Sequence, residues 1–295
     1  MLRISYEVIK SVDKEAFICI GGIGYQSFLD AILRNTDNPD GGKVTDRYPY
    51  KGGAWFDCLS FHCYPMYYLR SWGSNLRHSD AAAQAVIDQL NEHENVLKKH
   101  GYGVEYPVKE VIITETNIPS KQTGDNIGSV EAQRNYLIKV AILAQRNRIR
   151  GIYPFCVWDS KEQYENGWEY DYMGFYKPLP NSPSGALRIN NSGIAWRTMS
   201  RMLRERRYDS AETAKLSLPA GMDGGAFYSS MTKDFVYVLW AKTNDDLSET
   251  ATGSYTFPES FVTSRLNITS WDENKSVING RSINLTGIPV FVTLF

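Results

Sequence analysis

Four short runs rich in β-branched and aromatic residues are separated by stretches of helical period. They are "AFICIGG" (16–22), "FDCLSFHCY" (56–64), "VKEVIITET" (108–116) and "GIYPFCVW" (151–158). Strands that alternate with helices predict parallel pairing through crossover connections. The intervening segments "YQSFLDAILRN", "SDAAAQAVIDQLNEHENVLKKHG" and "SVEAQRNYLIKVAILAQRNR" supply the helices, and "SGIAWRTMSRMLRER" a fourth. The second opens on Ser79 or Asp80 as a cap and closes at Gly101, while the third opens on Ser129 with Glu131 close behind. The reading is four consecutive β/α units.

Near residue 208 the pattern changes. "AKLSLPAG", "GGAFYSS", "DFVYVLWAKT", "GSYTFP", "SRLNITSW" and "IPVFVTLF" are short strands punctuated by Gly, Asn, Asp and Pro, which predicts an all-β sandwich of about 85 residues. The expected domains are therefore 1–208 and 209–295. Four β/α units fit either a small doubly wound sheet or part of an eightfold barrel. A complete barrel takes about 250 residues, and only about 205 precede the change of pattern.

Composition narrows the function classes. With 32 Lys+Arg against 33 Asp+Glu and no long like-charge block, nothing points to a nucleic-acid or anionic-membrane surface as the main partner. No apolar run approaches the roughly 20 residues needed to span a bilayer. The start, "MLRISYEVIKSVDKEAF", carries none of the parts of a signal peptide, so localisation stays open. Cys19, Cys58, Cys63 and Cys156 fall inside expected strands without CxxC spacing or a neighbouring His cluster. Free buried thiols are expected, with no metal and no cofactor. Aromatic content is high at 13%, with 19 Tyr and 7 Trp, much of it in loop-like segments.

In either parallel architecture, functional groups gather at the carboxyl ends of the strands. Alternation puts Val111, Ile113, Glu115 and Asn117 on one face, so that Glu115 ends an apolar stripe. The same reasoning groups Cys58, Ser60, His62 and Tyr64, with His62 and Tyr64 nearest the carboxyl end, and it brings Ile152, Pro154, Cys156 and Trp158 together. Each taken singly has a plain alternative: a solvated acid, a core histidine, a packing tryptophan. Their convergence on one rim favours a site. The following loops add "MYYLRSW", with Tyr67, Tyr68 and Trp72, and "DSKEQYENGWEYDYMGFY", with Tyr164, Trp168, Tyr170 and Tyr172. Aromatic faces pack against the C–H faces of sugar rings while acids and amides take the hydroxyls, so the expected ligand is a carbohydrate. Asn91-Glu92 imitates the Asn-Glu pair of many glycosidases, but it sits inside a long helical segment and reads as a solvated helix face.

In order and spacing, "FDCLSFHCYP", "VIITETNIPS" and "GIYPFCVWDS" resemble the sixth, seventh and eighth strands of clan A glycoside hydrolases, which are retaining (β/α)8-barrel enzymes. "AFICIGGIGYQSFLDAILRN" resembles their fifth strand and its helix, in the style of the family 39 xylosidase and iduronidase group. "LTGIPVFVTLF" resembles the end of the β-sandwich that often follows such barrels. The resemblance implies an α/β chain made of the C-terminal half of a TIM barrel, strands five to eight, followed by the sandwich. It implies Glu115 as catalytic nucleophile, with His62, Tyr64, Asn117, Trp158, Trp72 and Trp168 lining the sugar site. His62 or Tyr64 could hydrogen-bond the nucleophile.

A retaining mechanism needs a second carboxyl group about 5 to 5.5 Å from the first. In the clan that acid/base lies on the fourth strand, whereas "RISYEVIKSVD" reads as the helix ahead of the fifth. The resemblance thus implies an acid/base missing from this chain. A second chain or a second copy completing the barrel is one expectation, and a non-catalytic carbohydrate-binding or assembly protein is the alternative. Enzymes of this kind are often secreted.

Overall fold

A computed structural model describes residues 1–35, 43, 45, 46, 54–71, 76–178 and 188–295. The chain divides into two compact units: 1–63 with 86–116 and 148–153, and 64–85 with 117–147 and 154–295.

The first unit is built on a parallel sheet. Strands β1 (Cys58–Cys63), β2 (Glu110–Thr116) and β3 (Gly151–Pro154) lie side by side in chain order. Residues 18–23 run parallel to β1, through Ile20 N–H to Cys58 O, Ile23 N–H to Ser60 O and His62 N–H to Ile23 O. Four extended segments thus follow one another without the reversal of order that defines a doubly wound sheet. The first of them, expected as a full strand, makes only isolated bridges at Cys19 and Ile23. Helices α1 (Leu2–Val12) and α2 (Gln26–Asn35) belong to this unit. Tyr6 of α1 packs edge-on against Trp55 and donates its hydroxyl to Asp57.

Between β1 and β2 come α3 (Pro65–Ser71) and α4 (Ser79–Lys99), the latter contributing residues to both units. Phe61 of β1 stacks on His93 of α4 with ring centroids 5.1 Å apart. Gly101 follows α4 with φ +90°, a conformation that favours glycine at a helix end. Asn91 and Glu92 lie inside α4, with Asn91 exposed.

The second unit holds α5 (Val130–Arg146), α6 (Asn191–Met202), α7 (Ser210–Lys215) and the remaining strands. Ser129 caps α5 by accepting the Ala132 N–H at 3.0 Å. The strands are β4 (Arg206–Asp209), β5 (Met222–Ser229), β6 (Phe235–Ala241), β7 (Thr252–Thr256), β8 (Arg265–Thr269), β9 (Lys275–Asn279), β10 (Ser282–Thr286) and β11 (Val290–Leu294). They form an antiparallel sheet of order β4-β5-β6-β11-β8-β9 and a separate β10-β7 pair. Along β6 the two faces divide by alternation. Val236, Val238 and Trp240 join Ile138, Ile142, Ala195 and Met199 of α5 and α6, whereas Tyr237, Leu239 and Ala241 join Tyr255, Ile283 and Leu285 of the β7–β10 pair. Burial on both faces explains why β6 reads as a continuous apolar run.

Three expectations are corrected here. "AKLSLPAG" is the end of α7 and the turn after it rather than a strand. "GIYPFCVW" is a strand only to Pro154. The chain beyond it pairs with residues 173–176 instead, through Cys156 N–H to Met173 O and Tyr176 N–H to Val157 O. All four cysteines are free thiols, but Cys19 is exposed and Cys156 half-buried, and neither lies in a strand. Among the described residues no helix is long and apolar enough to cross a membrane.

Candidate functional site

Glu115 reaches its place through an irregularity in the ladder. Strands β1 and β2 pair Cys58 with Glu110, Leu59 with Val111, Ser60 with Ile112 and Phe61 with Ile113; His62 then stands opposite Glu115. Thr114 is the extra residue, a β-bulge in a parallel pair, where bulges are rare. Burial along β2 changes phase at the same point: Val111 and Ile113 are buried, Glu115 is half-exposed, and Thr116 is buried again. The expectation that Val111, Ile113 and Glu115 share a face is therefore corrected. The bulge takes Glu115 off the buried stripe and sets it beside His62. An inserted residue inverts every side chain after it, and periodicity gives no sign of the insertion.

His62 Nδ1 lies 3.4 Å from Glu115 Oε2, and the two side chains keep 33% and 38% of their exposure. The main chain beneath the histidine is held firmly: its carbonyl accepts from Gln89 Nε2 at 3.3 Å, and the same amide reaches Gly24 O at 2.8 Å. The imidazole lies against Gly22, where a Cβ would come 2.0 Å from Nε2. The carboxyl end of the strand thus presents an acid and an imidazole in contact and partly open to solvent.

The other expected residues lie in the second unit, each with its own surroundings. Tyr64 packs edge-on to Tyr170 (5.0 Å) and Phe155 (6.1 Å), and Tyr67 joins them at Tyr170. Burial pushes the Tyr67 hydroxyl well above its usual titration range, reinforced by its bond to Tyr170. Glu169, buried in the same cluster, accepts from Asn126 Nδ2 and from Tyr67 Oη at 3.5 Å. Sequence reading noted the rings but missed Glu169, which no strand pattern marks. Trp158 and Trp168 are 55% and 77% exposed. Trp72 lies outside the described residues.

Asn117 is corrected as a sugar contact. It is fully buried, and its amide donates to Phe155 O and, at 2.8 Å, to Met173 O, while its oxygen accepts the Ile118 N–H. An amide with its hydrogens taken by main chain holds a loop together and has none left for a ligand. Asp159 was also missed, although it directly follows Trp158. Its carboxylate accepts the Gly174 N–H at 2.6 Å and Asn190 Nδ2 at 2.8 Å. Burial raises its pKa to about 6 despite those two donors. Among the described residues, no group of three or more His, Cys, Asp or Glu could hold a metal ion.

No family model matches the sequence, and no curated protein sequence is similar to it. Solved structures match by fold. A family 44 xyloglucanase from Paenibacillus polymyxa is 12% identical, with a TM-score of 0.51 over 98% of this chain and 59% of its own. The family 39 enzyme from Xanthomonas axonopodis pv. citri is 10% identical, with a TM-score of 0.51 over 99% and 63%. A monomeric β-xylosidase from Caulobacter crescentus CB15 is 10% identical, with a TM-score of 0.50 over 99% and 64%. The chain spans about six tenths of the length of these enzymes. At such identity the likeness concerns fold: this is a mixed α/β chain that resembles the TIM-barrel enzymes among glycoside hydrolases.

Proposed function

We propose that the chain is a glycoside hydrolase polypeptide of clan A type. It would supply the C-terminal half of a (β/α)8 barrel, strands five to eight in residues 1–208, and a β-sandwich in 209–295. Glu115 is its nucleophile in retaining hydrolysis of an O-glycosidic bond. The observation that carries this reading is the Glu115 carboxylate 3.4 Å from His62 at the carboxyl end of a parallel strand. Attack of Glu115 on the anomeric carbon would form a glycosyl ester and release the leaving group. Water would then hydrolyse the ester, and a second carboxyl group would pass the proton each way. In this proposal the acid/base lies outside these four β/α units, with supply by a second chain or copy as one arrangement that completes the site. Tyr64, Trp158, Trp168 and Trp72 would line the sugar.

Incubation of the protein with an aryl glycoside bearing a very good leaving group, where acid assistance matters little, should leave a glycosyl adduct detectable by mass spectrometry. Glu115→Gln should abolish it, and labelling that persists in that variant would remove Glu115 from the role. The exposed rings of Trp158 and Trp168 favour a second reading, carbohydrate binding without turnover. Saturable sugar binding with no adduct would select it.

A further inference from the structure

We infer that Gly22 is a positioning residue that acts on Glu115 through the ring of His62; the inference rests on the reading of Glu115 as nucleophile. The segment carrying Gly22 runs beside β1 and is tied to it on either side of the glycine, by Ile20 N–H to Cys58 O and Ile23 N–H to Ser60 O. The main chain at Gly22 therefore cannot withdraw without breaking the pairing. A Cβ built there would meet three atoms of the His62 imidazole, Nε2 at 2.0 Å, Cδ2 at 2.4 Å and Cε1 at 2.7 Å. The imidazole thus rests on bare main chain by its Nε2 edge and turns its Nδ1 edge toward Glu115 Oε2.

Gly22 is not among the glycines with positive φ, so its backbone is open to any residue. Neighbouring Gly21 has nothing within 4 Å of its Cβ position and Gly24 likewise, which singles out Gly22 as the glycine the ring requires. A methyl group there meets a side chain that can rotate. The fold can accommodate the change, and the imidazole takes up the displacement.

The test compares Gly22→Ala with the wild type by NMR of the His62 imidazole at fixed pH, each with and without Glu115→Gln. In the wild type, removing the carboxylate charge should shift the His62 ring resonances; in Gly22→Ala that response should be lost. An undiminished response in Gly22→Ala would overturn the inference. Should Gly22→Ala fail to fold, the double variant Gly22→Ala/His62→Ala decides: removal of the ring should restore the native spectrum. If the double variant stays as unfolded as the single one, the contact is not the cause and the inference falls.

Adduct formation on Glu115 provides the catalytic readout. Displacement of the pair by about an ångström should slow it on the order of a hundredfold. Absence of any adduct in the wild type would count against the glycosidase reading alone, since the NMR response tests the placement without turnover.

Discussion

Lys139 and His62 each stand beside a carboxylate, and the two settings differ in nearly every physical respect. Lys139 is fully buried, with its ammonium 2.8 Å from Asp80 Oδ2 and 2.8 Å from Ser79 Oγ. Asp80 also accepts Trp240 Nε1–H at 2.8 Å and the Thr243 N–H at 3.1 Å. Glu249 beside them takes the Ser79 N–H at 2.7 Å, the Ser79 hydroxyl and Asn135 Nδ2 at 2.8 Å. Donors from α4, α5 and the antiparallel sheet saturate these acids. The His62–Glu115 pair is longer, at 3.4 Å, and each side chain keeps about a third of its exposure. A buried, saturated carboxylate holds elements together, while one that keeps more than a third of its exposure on a strand end is accessible to a ligand.

The contrast predicts opposite responses to loss of a partner. Lys139→Met should cost about 3 to 5 kcal/mol, because Asp80 would remain buried without its cation. Denaturant unfolding measures it, and a loss below about 1 kcal/mol would mean that the network contributes no more than an exposed pair.

Asp159 sharpens the comparison, since it is buried with two neutral donors, and Lys177 acts on it only through space. Its raised pKa, about 6, leaves the native carboxyl protonated in a window where the unfolded one, near 3.9, has ionised. The contribution is therefore full below about pH 4 and is lost as pH rises through about 6, by up to roughly 3 kcal/mol. His78 and His93 work with the opposite sign below about pH 6.5, because burial lowers their pKa values. Stability curves of wild type and Asp159→Asn, subtracted across pH 4 to 7, should isolate the Asp159 slope. A flat difference would show that its donors offset its burial completely.

How legible each of these residues was in the sequence follows from the physics that places it. The parallel segments and α4 to α6 were readable because apolar period and caps such as Ser129 act within a few residues. Glu115 was found by its position at the end of "VIITE", yet the bulge that aims it was invisible, since Thr114 looks like any strand residue. Trp158 was placed by an alternation that stops at Pro154, where the chain exchanges one ladder for another. Asn117, Asp159 and Glu169 are set by main chain and side chains brought together from distant segments, as when Asn117 meets Met173. Local pattern holds no record of such meetings. β9 was missed because its exposed positions leave too few apolar residues to show alternation, whereas β10 does alternate, with Ile283 and Leu285 buried, but is only five residues long.

For the open pair the expected energetic effect is smaller. Glu115→Gln keeps the shape of the side chain and removes a charge that is more than a third exposed, so stability should change by less than about 1 kcal/mol. Adduct formation should vanish all the same. A stability loss matching that of Lys139→Met would erase the difference between the two regions and make Glu115 a structural acid.

The smallest effect on stability belongs to Trp168, whose ring is 77% exposed at the start of the short 3-10 turn Glu169–Tyr172. That turn is anchored by main chain, with the Trp168 N–H donating to Asp171 Oδ2 at 2.7 Å, so the indole is not needed to form it. Trp168→Ala should therefore stay within about 0.5 kcal/mol of wild type by thermal unfolding. If the ring stacks on a sugar, the same variant should weaken carbohydrate binding by calorimetry, with a loss of about 0.5 to 1.5 kcal/mol typical of an aromatic contact. Unchanged binding in Trp168→Ala would confine the sugar contacts to other rings, and Trp158→Ala, at 55% exposure, would be the next to measure.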